Sequence, residues 1–143
     1  MATSAEILPP LIISRFDFER LERLLDRLER SGKPSANLEL LRAELDRAEI
    51  VEPEDVPPDV VTMNSRVRVA DEVTGEVTEL QLVFPAAADP DRGAVSVLAP
   101  VGSALLGLRK GASIEWPLPD GRARRIRVVE VSYQPEAAGD THL

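Results

Sequence analysis

Two leucine-rich runs with the same three-four-three spacing, separated by a helix-breaking tetrapeptide, constrain this chain more than any other feature. In the first run, Phe16 to Arg30, Phe18, Leu21, Leu25 and Leu28 recur at that spacing and Leu24 widens the stripe. This period places them on one face of an α-helix. Ser14 stands where an N-cap is needed, and Asp17 lies three residues on, near the positive end of the helix dipole. Glu19–Arg23 and Asp26–Arg30 are spaced as i,i+4 pairs, each contributing about 0.2–0.5 kcal/mol. Ser31-Gly32-Lys33-Pro34 then stops the helix, because glycine terminates helices and proline keeps its predecessor out of the helical region. Ser35 is placed to cap a second run, in which Leu38, Leu41, Leu45 and Ala48 repeat the spacing. So short a connection predicts an antiparallel helical hairpin, a short coiled coil in which each seam covers the other. The seams are read as core rather than as a dimerising zipper, and the flanking charges as a solvated face. Helices of about 14 residues give an arm of about 20 Å at the α-helical rise.

The pattern changes after the second run. Glu49 to Asp59 carries Pro53, Pro57 and Pro58 among five acidic residues. Prolines exclude a helix and make the segment extended and stiff. Beyond it the period becomes two. Val67 and Val69 alternate with Arg66 and Arg68, Asp71 to Glu76 reads as a turn, and Val77 to Phe84 reads as a second strand. Pro85 to Gly93 reads as a loop and Ala94 to Leu98 as a third strand. A short helix starts at Pro100 and is closed by Gly107. Ser113 to Pro117 and Arg122 to Tyr133 form a last hairpin around Pro119-Asp120-Gly121. The expected fold class is α+β: a hairpin over 1–49, an acidic proline-rich linker over 50–59, and over 60–143 a small antiparallel sheet crossed by one short helix.

The residue inventory excludes much chemistry. Among 143 residues there is no cysteine and one histidine, His142, next to the end. Disulfides, thiolate metal sites and cysteine nucleophiles are out, and a Ser-His-Asp triad has no support. Ser96, Ser103 and Ser113 have no histidine to activate them. Gly102 and Gly107 flank the short helix as turn and cap glycines, with no phosphate-loop signature. Arg122, Arg124, Arg125 and Arg127 point to both faces of a strand, so they read as solvated or acid-paired rather than as one binding stripe. Trp116 and Tyr133 read as packed or partly buried strand residues. A net charge of −8 disfavours direct contact with nucleic acid. The apolar stretch near the N-terminus is short, lacks a basic flank and is broken by Pro9 and Pro10, so no signal peptide or membrane span is expected. The expectation is a monomeric cytoplasmic protein without cofactor or metal.

Three segments carry a resemblance. VVTMNSRVRV (Val60 to Val69), APVGSALLGLRKG (Ala99 to Gly111) and YQPEAAGD (Tyr133 to Asp140) closely resemble the bacterial Rnk family, named as regulators of nucleoside diphosphate kinase. The likeness extends back through ELDRAEIVEPEDVPPDVVTMNS. The C-terminal part also resembles the second, FKBP-like domain of the Gre transcript-cleavage factors, whose short helix carries a similar P-x-G-x-A-L-L-G pattern.

The Gre resemblance implies binding to RNA polymerase at the mouth of its secondary channel. In Gre factors a long coiled coil enters the channel, and two acidic residues at its tip help hold a catalytic magnesium. Here the tip reads Arg30-Ser31-Gly32-Lys33-Pro34-Ser35, without a carboxylate, whereas a hard divalent cation takes oxygen ligands. Gre arms are also about twice as long as the roughly 20 Å expected here. Docking without cleavage, in competition with Gre factors, is therefore the expected, non-enzymatic function. The implied polymerase contacts are Leu98, Ala99, Pro100, Val101 and Ser103, with Arg30, Ser31, Gly32 and Lys33 at the tip. Where Gre factors often have Asp-Ser-Pro before the short helix, this chain has Leu98, Ala99 and Pro100, keeping only the proline. The alternatives are a prolyl isomerase or chaperone-like FKBP module, and direct control of nucleoside diphosphate kinase. Few aromatic residues and no nucleotide-binding motif weigh against both.

Overall fold

The computed structural model of the chain describes residues 11–32, 36–117 and 122–140. Strand β1 (Ile12–Ser14) runs directly into helix α1 (Arg15–Arg30). Ser14 is the N-cap, its Oγ accepting the Asp17 N–H at 3.1 Å. The helix closes at Ser31, whose hydroxyl donates to the Leu28 carbonyl at 2.6 Å. Gly32 follows at φ 76°, a conformation that costs glycine nothing in side-chain clash. Helix α2 spans Ala36–Asp46; its expected cap, Ser35, lies outside the described residues, as do Lys33, Pro34 and the turn over 118–121. With 16 and 11 residues, the two helices are about 24 and 17 Å long, rather than equal in length.

The apolar stripes are buried as their spacing requires. Leu21, Leu24 and Leu25 on α1 and Leu38, Leu41 and Leu45 on α2 belong to the core, with Phe18, Leu28 and Ala48 packed against it. That core does not stop at the two helices. It continues into Val61, Met63, Leu82, Val97 and Leu105 of the β-rich part. The proline-rich segment between the two parts is packed and only partly extended, because Pro53–Asp55 fold into a 3-10 turn. Its start forms strand β2 (Glu49–Val51), parallel to β1 in the register Ile13↔Ile50. The helix pair is the crossover that a parallel pairing needs. Pro53 and Val56 are buried.

Five further strands form one sheet: β3 (Arg66–Asp71), β4 (Val77–Val83), β5 (Ala94–Ser96), β6 (Ser113–Pro117) and β7 (Ala123–Tyr133), in the order β5-β4-β3-β7-β6. Val67, Val69, Leu80, Leu82, Ile126 and Val128 are buried, while Arg66, Arg68, Glu79 and Glu130 are exposed. The sheet is mixed, not antiparallel as the sequence suggested: β5 runs parallel to β4, pairing Leu82 with Val95. The connection over 84–93, folded into two 3-10 turns, is long enough to carry the chain back to the starting end of its neighbour. Alternating burial has the same period for either strand direction, so the pattern carried no information on this point.

Two short α-helices accompany the sheet rather than one. Helix α3 (Pro100–Leu105) begins with proline, as expected, and sits very close to the sheet. A Cβ on Gly102 would lie 1.9 Å from the Ser96 carbonyl oxygen, so only glycine fits there. Helix α4 (Pro135–Ala138) was not foreseen; Gln134 caps it, accepting the Ala137 N–H at 3.2 Å through its side chain.

Candidate functional site

The segment from Leu98 to Ser103 leads from β5 into α3. Leu98 is half-buried and packs against the core, and its N–H donates to Ser96 Oγ at 3.0 Å. Ala99 is half-buried and Pro100 exposed. Ser103 is half-buried, with its hydroxyl donating to the Pro100 carbonyl at 3.2 Å, which fixes the first turn of the helix. Val101 turns inward and is 7% exposed, so it supports α3 from below and offers no surface. The structure thus leaves Leu98, Ala99, Pro100 and Ser103 at least partly accessible and buries Val101.

At the end of α1, Arg30, Ser31 and Gly32 are all exposed. The carboxylates nearest in sequence are used elsewhere. Asp26 and Glu29 accept from Arg42 of α2 at 2.8 and 3.1 Å, which ties the two helices together short of the tip. The pull of Glu29 and then Asp26 raises the Arg42 pKa further, so that cation is permanent.

A third constellation joins the helical part to the sheet, and sequence reasoning missed it. Asp17 is 1% exposed. Its carboxylate accepts from Arg20 at 2.6 Å and from the Met63 N–H at 3.2 Å. The neighbouring Thr62 hydroxyl donates to Glu136 of α4 at 2.7 Å and lies 2.8 Å from Ser65 Oγ, which accepts the Thr62 N–H. Gln134, also buried, donates to the Pro57 and Val60 carbonyls at 2.8 and 2.7 Å. Asn64, at φ 67°, turns the chain between these contacts; asparagine tolerates that left-handed conformation better than most residues. Burial, and next the charge of Glu136, push Asp17 up to about 6 against the pull of Arg20. Asp17, Arg20, Glu136 and Asp140 line a shallow cleft with room for about one water molecule, far smaller than usual ligand pockets. Two of the motifs quoted for the resemblance, TMNS and QPE, meet here. From the sequence alone Asp17 is only a favourable helix-end charge, because its neighbours across the fold are 46 or more residues away.

The arginine cluster on β7 is tied to acids in part. Arg124 donates to Asp71 at 2.7 Å, and Arg125 lies 3.5 Å from Glu72. The Thr74 N–H, then Arg124 and the Val73 N–H, hold Asp71 below the usual carboxylate range. Tyr133 is half-buried and donates to Asp140 at 2.6 Å; the Trp116 side chain lies outside what is described. Among the described residues, no group of three or more acidic or histidine side chains is arranged to hold a metal ion, and no helix is long and apolar enough to cross a membrane.

Comparison with known proteins accounts for both halves. The Rnk N-terminus family model matches residues 9–51, and the C-terminal model of the transcription elongation factors GreA/GreB matches residues 56–133. The regulator of nucleoside diphosphate kinase from Escherichia coli K12 is 51% identical over 132 residues, covering 92% of this chain and 96% of that protein. This chain belongs to the Rnk family. Its kinship with Gre factors is equally plain. The transcription elongation factor GreA of Syntrophobacter fumaroxidans is 34% identical, over 87% of this chain and 99% of its own length. A solved prokaryotic transcription elongation factor GreA/GreB from Nitrosomonas europaea superposes with a TM-score of 0.78 at 49% identity, over 88% of this chain and all of that one. As a Rnk-family member with a Gre-type C-terminal half, the chain is a Gre-related regulator; the junction joins Asp17 of the first matched region to Thr62 and Met63 of the second, with Gln134 and Glu136 just beyond it.

Proposed function

We propose that this protein is a non-catalytic transcription regulator that binds RNA polymerase near its secondary channel and competes there with Gre-type factors. The carrying observation is the combination of a Gre-type C-terminal half with an arm tip whose described residues, Arg30, Ser31 and Gly32, include no carboxylate. On this reading the β-rich part is the FKBP-like docking module, and the partly accessible segment with Leu98, Ala99, Pro100 and Ser103 meets the polymerase. Those side chains make the contact largely apolar, in contrast with the polar loop that the Gre resemblance implies. An arm about 24 Å long at its longer helix reaches less far than a Gre arm and brings no acid to hold magnesium.

Co-purification with core polymerase tests the proposal. Binding at micromolar concentration, displaced by a GreA protein and abolished by Leu98→Asp with Pro100→Ala, is the expected result. No binding under conditions in which a GreA protein binds would overturn it. A second reading, direct control of nucleoside diphosphate kinase, rests on the name of the Escherichia coli relative. Kinase activity that changes on adding the purified protein alone, in the absence of transcription, would favour that reading.

A further inference from the structure

The 62–65 turn is gripped from two sides by carboxylates. Asp17, on the helical arm, takes the Met63 N–H, and Glu136, on the C-terminal helix, takes the Thr62 hydroxyl. Both line the same cleft, so the first turn of α1 and helix α4 meet over the 62–65 turn through two acids that repel one another. Arg20 on α1 pairs with Asp17. Asp140, beyond α4, adds a further carboxylate, held by the Tyr133 hydroxyl, with Arg66 lying over the Tyr133 ring. Arg15 on α1 is engaged with Glu52, beside the 3-10 turn at Pro53, and both are solvated. Ser14, Phe16, Pro53, Met63 and Pro135 complete the lining without charge.

We infer that the Asp17–Glu136 pair makes the junction between the helical arm and the β-rich part a proton-sensitive latch, tightened by acid and loosened by alkali. The direction follows from linkage. In the closed junction Asp17 holds its proton up to about 6, whereas an exposed aspartate releases it near 3.8. The closed state therefore binds the proton more tightly, and raising the pH through 6 favours opening. Between pH 5.5 and 7.5 these two values give about a fourfold increase in the opening equilibrium. Opening releases the Met63 amide from the first turn of α1, where Asp17 lies, while the shared core still holds the arm. The inference rests on the junction alone and does not depend on polymerase binding.

Hydrogen exchange of individual amides in the full chain, followed by NMR at pH 5.5 and 7.5 and corrected for intrinsic rates, reads this directly. The protection of the Met63 amide is expected to fall about fourfold over that range. The Val128 amide, bonded to the Ala112 carbonyl inside the β-rich part, serves as reference and should not follow it. Asp17→Asn should remove the pH dependence at Met63, and Glu136→Gln should move the fall to lower pH. Retained protection at Val128 establishes that each variant is folded. An equal slope in wild type and Asp17→Asn, or no slope beyond that of Val128 in wild type, would overturn the inference.

Discussion

Gly102 and Gly32 separate two reasons for which a chain keeps a glycine. At Gly102 the backbone conformation is ordinary, but an added methyl group would meet the Ser96 carbonyl at 1.9 Å. Gly102→Ala must push α3 off the sheet and should destabilise by about 1–3 kcal/mol, the range for overpacking a tight contact. Gly32 has open space but φ 76°, so Gly32→Ala should cost about 1 kcal/mol through backbone strain. Urea denaturation of both variants checks the ordering. Asp17 provides a pH-dependent test of global stability. Its folded value of about 6 exceeds the unfolded 3.8, so its contribution is fully favourable below 3.8 and is lost as pH rises through 6. Relative to Asp17→Asn, the wild type should lose about 1.4 kcal/mol between pH 5 and pH 8 in denaturation midpoints converted to free energy. An Asp17→Asn variant with a pH profile identical to that of the wild type would show that burial of this carboxyl does not matter energetically.

At the scale of elements, packing and charge contribute very unequally to the helical arm. Leu41 is 1% exposed within the shared core. Leu41→Ala should cost about 2–5 kcal/mol, by lost burial and a residual cavity. Arg42 reaches Glu22, Asp26 and Glu29, but these acids are half-exposed. Arg42→Met should therefore cost no more than about 1 kcal/mol, and most of that should vanish in high salt. Thermal melts of the two variants at low and high ionic strength separate the effects. The seams and their break at Ser31-Gly32 were legible because helical periodicity and capping are local. The direction of β5 and the helix at Pro135–Ala138 were not: the first depends on how a long connection folds back, and the second on Gln134 finding carbonyls some 75 residues away.

For the molecule as a whole, one core runs from Leu21 and Leu41 of the arm to Leu82 and Leu105 of the β-rich part, so the arm has a defined base. Its reach is then set by helix length. On the proposed function, placing acids at the tip (Ser31→Asp with Gly32→Glu) should not confer transcript cleavage, because a carboxylate at the end of a helix about 24 Å long still falls short of a catalytic centre served by an arm about twice the expected length. A cleavage assay on stalled complexes checks this; cleavage above background would show that reach is not the limiting feature. Competition with a GreA protein should survive those tip substitutions.

The sequence by itself determined the α+β class, the two helical seams, the Ser14 cap, the absence of tip carboxylates in Arg30, Ser31 and Gly32, and the kinship carried by TMNS, the α3 segment and YQPEAAGD. These are local patterns, or residue identities that no folding can change. Only the tertiary structure decided that β5 is parallel, that Val101 is core while Pro100 is surface, and that Asp17, Thr62 and Glu136 share one junction. Each of these depends on groups distant in the chain meeting in space, and burial and facing charges acquire their energies only there.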